Sequence, residues 1–105
     1  MAFWNRPSGN FTTKQVGTNA STGTRIIGKN ESRLGLVLKN MGTTGETVYL
    51  GATEDVASTT GFPLGPGESV AVPSRAAVYG RSATGTPKVA VMSTGSASLG
   101  GLLNA

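Results

Sequence analysis

The strongest constraint in this chain is a period-two alternation on both sides of a glycine-containing reversal, between Arg33 and Ala52. Leu34, Leu36 and Leu38 alternate with Gly35, Val37 and Lys39, and Val48, Leu50 and Ala52 alternate with Thr47, Tyr49 and Gly51. Such a period puts each trio on one face of a strand. The spacer Asn40–Glu46 holds Gly42 and Gly45, which can take the positive φ of a tight reversal. The segment reads as a β-hairpin with one buried face, the seed of an all-β domain.

The rest of the composition fits that reading. A chain of 105 residues makes one domain with a modest core. Its 16 Gly, 14 Thr and 10 Ser disfavour helix and suit short strands with many turns. Cysteine and histidine are both absent, which removes disulfides, thiolate metal sites and the commonest general base. Enzymatic chemistry and a bound cofactor are therefore not expected.

Charge is unevenly laid out. Residues 1–30 carry Arg6, Lys14, Arg25 and Lys29 with no acid, and all five acids fall between Glu31 and Glu68. After Glu68 come only Arg75, Arg81 and Lys88. Basic ends and an acidic middle favour arm-to-neighbour contacts over a uniform nucleic-acid face. Met1-Ala2-Phe3-Trp4 leads into Asn5-Arg6-Pro7 rather than an apolar run, so no secretory signal is expected. No stretch is long and apolar enough to span a membrane.

Along the chain, residues 1–22 have no sustained period and read as an extended N-terminal arm. A fraying tail is the bland alternative. Phe3, Trp4 and Phe11 favour the arm, because exposed aromatics of this kind anchor interfaces. Residues 23–93 form the β-sandwich domain, with further strands expected at Gly23–Lys29, Glu68–Val72, Ala77–Ser82 and Pro87–Ser93. Ala83–Thr86 reads as a hairpin turn, and Phe62 and Leu64 cap the sandwich edge. The inward set is Ile26, Leu34, Leu36, Leu38, Val48, Leu50, Val70, Val72, Val78, Val89 and Val91. Residues 94–105 are a flexible Gly/Ser-rich C-terminal tail whose Leu99, Leu102 and Leu103 either tuck under the domain or bind a neighbour. The fold class is all-β, a small antiparallel β-sandwich of jelly-roll-like type.

Candidate chemistry is sparse. Glu54-Asp55 is the one adjacent acidic pair, and a hard cation would need several more oxygens. Gly17–Thr24 is glycine- and threonine-rich but lacks the Gly-Lys-Ser/Thr of a phosphate loop. No Ser-Lys spacing supports a nucleophile. Asn10-Phe11-Thr12, Asn19-Ala20-Ser21 and Asn30-Glu31-Ser32 match glycosylation sequons, as a Ser/Thr-rich chain does by chance. The early basic residues and rings are too sparse for a single-stranded nucleic-acid stripe, so no nucleic acid is expected.

One set of motifs points to a family. It runs Asn30-x-x-Arg33-x-x-Leu36-Val37-Leu38-x-Asn40, then Val48-Tyr49-Leu50-Gly51. It continues with Gly61-Phe62-Pro63-Leu64-x-Pro66-Gly67-Glu68-Ser69-Val70 and ends with Ala77-Val78-Tyr79-Gly80. In these residues, over about 24–93, the chain resembles small β-sandwich virion structural proteins of tailed bacteriophages. The resemblance names no catalytic residue. It implies a capsid decoration, or cement, protein that binds the outer head surface and bridges major capsid subunits. It would be made in the bacterial host cytoplasm and end up in the virion. A homo-oligomer is expected, a trimer being the natural form at a three-fold contact. The interface candidates are Phe3, Trp4, Arg6, Phe11, Lys14, Leu102 and Leu103. The alternative is a tail or fibre module that binds a host sugar through Tyr49, Tyr79 and Phe62. The residues of the motif themselves read as structural: Arg33 to bridge backbone carbonyls or Glu31, Asn40 to bond the turn backbone.

Overall fold

Residues 10–95 of the chain are described by a computed structural model. Within them there is no helix. The strands are β1 (Asn10–Gly17), β2 (Thr24–Ile27), β3 (Arg33–Asn40), β4 (Val48–Gly51), β5 (Phe62–Leu64), β6 (Ser69–Ala71), β7 (Val78–Ser82) and β8 (Lys88–Gly95). They form two four-stranded antiparallel sheets, ordered β1-β8-β3-β6 and β2-β7-β4-β5.

The pairings β1 with β8, β2 with β7, β3 with β6 and β4 with β5 are nested around one another. This is the order of a jelly roll, a long antiparallel ribbon folded over so that its two halves become two sheets. The domain is thus the small β-sandwich that the alternation and turn density predict, and the jelly-roll form is now specified.

One consequence corrects the opening expectation. β3 and β4 are not a hairpin, since they lie in different sheets. Every connection except β4–β5 crosses between the sheets, so Ala83–Thr86 is not a hairpin turn either. The physical reason is that one buried face per strand is compatible with side-by-side pairing and with face-to-face packing. Sheets stand about 10 Å apart, which a few extended residues span. Leu36 and Leu38 in one sheet share a single core with Val48 and Leu50 in the other. Within the 40–46 spacer, Gly45 takes the positive φ, 88°.

The core consists of Ile26, Leu36, Leu38, Val48, Leu50, Leu64, Val78, Val89 and Val91, with Val16, Ile27, Val70 and Val72 packed at its margin. Leu34 is the exception to the expected set, 59% exposed. A bulge explains it: Arg33 pairs with Gly95 and Gly35 with Thr94, leaving Leu34 as the extra residue. A bulge breaks the alternation locally, so Arg33 turns inward to 2% exposure in place of Leu34. Phe62 also stays 57% exposed, although its neighbour Leu64 is buried as expected.

The N-terminal boundary differs as well. Asn10–Gly17 is not an arm but the edge strand of the first sheet, paired with β8 along its whole length. Its sequence hides this because Thr12, Thr13, Lys14 and Gln15 carry no apolar alternation, and among the side chains described in this strand Val16 is the one packed against the core. At the other end, β8 runs on to Gly95.

Candidate functional site

The two polar side chains singled out in the sequence are buried and fully employed. Arg33 donates from Nη1 to the Gly28 carbonyl at 3.0 Å, from Nε to Ser74 at 3.0 Å and from Nη2 to Ala76 at 2.6 Å. The Arg33 carbonyl in turn accepts from Nε of Arg75 at 3.1 Å. Glu31 is not its partner: it pairs instead with Lys29 at 3.0 Å, with both side chains exposed. Exposed pairs of this kind add little. The guanidinium is therefore held by three carbonyls from two loops, one in the β2–β3 connection and two in the β6–β7 connection, a fork geometry lysine cannot copy.

Asn40 plays the matching part at the opposite end of β3. Its Nδ2 donates to the carbonyls of Glu46 at 2.7 Å and Leu64 at 2.8 Å, and its Oδ1 accepts from the Gly42 N–H at 2.8 Å. Leu64 belongs to the other sheet. One side chain thus ties the arch to both layers, as the bond to the turn backbone predicted from sequence requires. Both residues are rivets, and neither presents free chemistry.

Among the described residues no group of three or more acidic side chains could hold a metal. Glu54 and Asp55 are exposed in the β4–β5 loop, and the Glu54 carbonyl accepts from the Gly23 N–H at 3.1 Å. That bond pins the loop to the start of β2.

Three surfaces remain. The first is the end of the sandwich where Asn10 pairs with Gly95. Both tails depart there, one from each strand of a single ladder. Of the predicted interface residues, Lys14 is exposed on β1 and Phe11 lies in β1 opposite Thr94. Phe3, Trp4, Arg6, Leu102 and Leu103 lie outside the described residues.

The second is the outer face of the second sheet. Tyr49 sits opposite Arg81 on one side and Pro63 on the other, and Tyr79 sits opposite Arg25 and Gly51. Directly opposed residues share a face, and here it is the face away from buried Val48, Leu50 and Val78. Nε of Arg81 is fixed on the Ala20 carbonyl at 3.0 Å. Two of the three rings proposed for sugar contact therefore share one face. Phe62 does not join them, because its partner Leu50 faces the core. Sequence reasoning missed Val56, which is 4% exposed and packs over Gly51 and Gly61 beside Tyr49. It lies in an aperiodic loop, so no alternation marks it.

The third is an apolar groove of about 330 Å³ where the edges of β5 and β6 meet. Leu50, Phe62, Val70, Val72, Pro73 and Val78 line it.

No family model, curated protein or solved structure matches this chain.

Proposed function

We propose that the chain is a capsid decoration protein of a tailed bacteriophage, seated on the outer head surface and bridging major capsid subunits. The observation that carries this reading is the Asn10–Gly95 pairing, which puts the start of β1 and the end of β8 side by side at one end of a sandwich held by internal rivets. A body whose N-terminal arm leaves at one pole is suited to plugging a junction while that arm reaches a neighbouring subunit. Phe3 and Trp4 would bury in shell pockets, and Arg6 would meet acidic shell surface. Bridging raises avidity without any strong single contact. The jelly-roll order supports the reading only as far as fold can, since this architecture recurs in capsid and lectin domains alike.

The test is sedimentation of the purified protein with undecorated heads. Removing residues 1–9 should abolish binding and leave the thermal transition in place; undiminished binding would refute the arm. Removing residues 1–20 does not test the arm, because it takes away β1.

A second reading is a sugar-binding module of a tail or fibre. The shared face of Tyr49, Tyr79, Arg25 and Arg81 favours it. A glycan array should then give hits that Tyr49→Ala removes, and a blank array would count against it.

A further inference from the structure

The apolar groove opens at the same end of the sandwich from which the tails depart. Arg33 links the two places. It pairs with Gly95 in the sheet, while its side chain reaches the carbonyls of Ser74 and Ala76, both on the groove wall. The C-terminal tail therefore begins two inter-strand steps from β6, which lines the groove. An inter-strand step is about 4.8 Å, and the ten residues after Gly95 reach about 33 Å when extended. Reach is not limiting.

Chemistry selects between the two tails. The groove wall carries no charged side chain. The sequence after Gly95, SASLGGLLNA, has no ionisable side chain and no proline, and it holds three leucines. The segment before Asn10 carries Arg6 and Pro7 between its rings and β1. Burying that segment would desolvate a guanidinium with no partner on the groove wall. The C-terminal tail is also one strand nearer, since β1 lies beyond β8 in the sheet.

The exposure pattern says what is missing. β5 and β6 are each three residues long, so the two sheets are least covered at this side. Val70 and Val72 are only partly buried there, and Phe62 is mostly exposed. A second layer of aliphatic side chains would complete this margin.

We propose that the C-terminal segment of the same chain folds back into this groove, with Leu99, Leu102 and Leu103 packing on Val70, Val72 and Phe62. The domain then has one free arm, the N-terminal one, and a C-terminal tail that serves as the missing edge of its own core.

The experiment is methyl NOE spectroscopy on the full chain, wild type and the Leu102→Ser/Leu103→Ser variant. The expected result is cross-peaks from the tail leucines to Val70, Val72 or the Phe62 ring that persist on dilution. A mixed sample of labelled and unlabelled chains, read through an isotope filter, should show none between chains. In the variant those cross-peaks vanish and the Val70 and Val72 methyls shift, while Leu38 and Val89 in the core centre stay put. Cross-peaks only between chains would overturn the proposal in favour of tail exchange with a second copy. Contacts from Phe3 or Trp4, or no contact to the groove at all, would also overturn it. No particle is used, so the result stands apart from shell binding.

Discussion

Asn40 reaches from the end of β3 in one sheet to the carbonyl of Leu64 in the other, at 2.8 Å, with no solvent-exposed surface of its own. Two sheets that share no backbone hydrogen-bond ladder are joined here by an amide. Asn40→Ala leaves two carbonyls and the Gly42 N–H without that partner and opens a void. The expected loss is about 3 kcal/mol, read as a lower urea midpoint with an unchanged slope. Asn40→Asp should do no better, because a carboxylate offers no donor to the two carbonyls.

Arg33 is a test of shape against charge. Arg33→Lys keeps the positive charge and loses the planar fork that serves three carbonyls. A loss of about 2 kcal/mol is expected. In a domain of this size that is a fall of roughly 10 °C in melting temperature by calorimetry. If Lys melts with the wild type, the carbonyl cage contributes nothing.

Gly80, buried on β7 between β2 and β4, leaves no room for a side chain. A Cβ there would stand 2.6 Å from Cδ1 of Ile26 and 3.1 Å from Cγ1 of Val48. Gly80→Ala should destabilise by about 1–3 kcal/mol. Ile26→Val removes the clashing methyl, so the double variant should be more stable than the sum of the two single effects predicts. Simple additivity in a denaturation cycle would mean that the strain is relieved elsewhere.

Lys14 guards an open sheet edge. The other sheet edges are blunted: β5 contains Pro63, β6 is three residues long and soon followed by Pro73, and β2 is four residues with a bulge. β1 is eight residues long without either device. Lys14 pairs with buried Val91, so it sits on the core-facing row of this edge while remaining exposed. A lysine so placed discourages a second edge from docking. Lys14→Val should raise the mass seen by light scattering as concentration increases, whereas Lys14→Arg should match the wild type.

Legibility in the sequence followed the physics of one buried face. Leu36, Leu38, Val48, Leu50, Val78, Val89 and Val91 are all core residues, and period two is enough to find them. Leu34 escaped because a bulge resets the parity and nothing local announces it. The choice between arch and hairpin at Asn40–Glu46 depends on which strands bond, and alternation carries no such information. β1 was hidden because an edge strand needs few apolar residues, and Thr12, Thr13, Lys14 and Gln15 supply none. The roles of Arg33 and Asn40 were readable from residue type: a fork of donors and a short amide at strand ends have few other uses.

The pairing of Asn10 with Gly95 also decides how the molecule bears load. The two residues are roughly 5 Å apart, at the same end of antiparallel neighbours. Force that draws the tails apart would peel β1 from β8 one hydrogen bond at a time, the weakest way to break a ladder. Force that pulls both tails the same way, against the body, is divided between two strands and shears the ladder that β8 shares with β3. A particle that anchored both ends side by side would use the strong direction, and one that splayed them would unzip its own fastening.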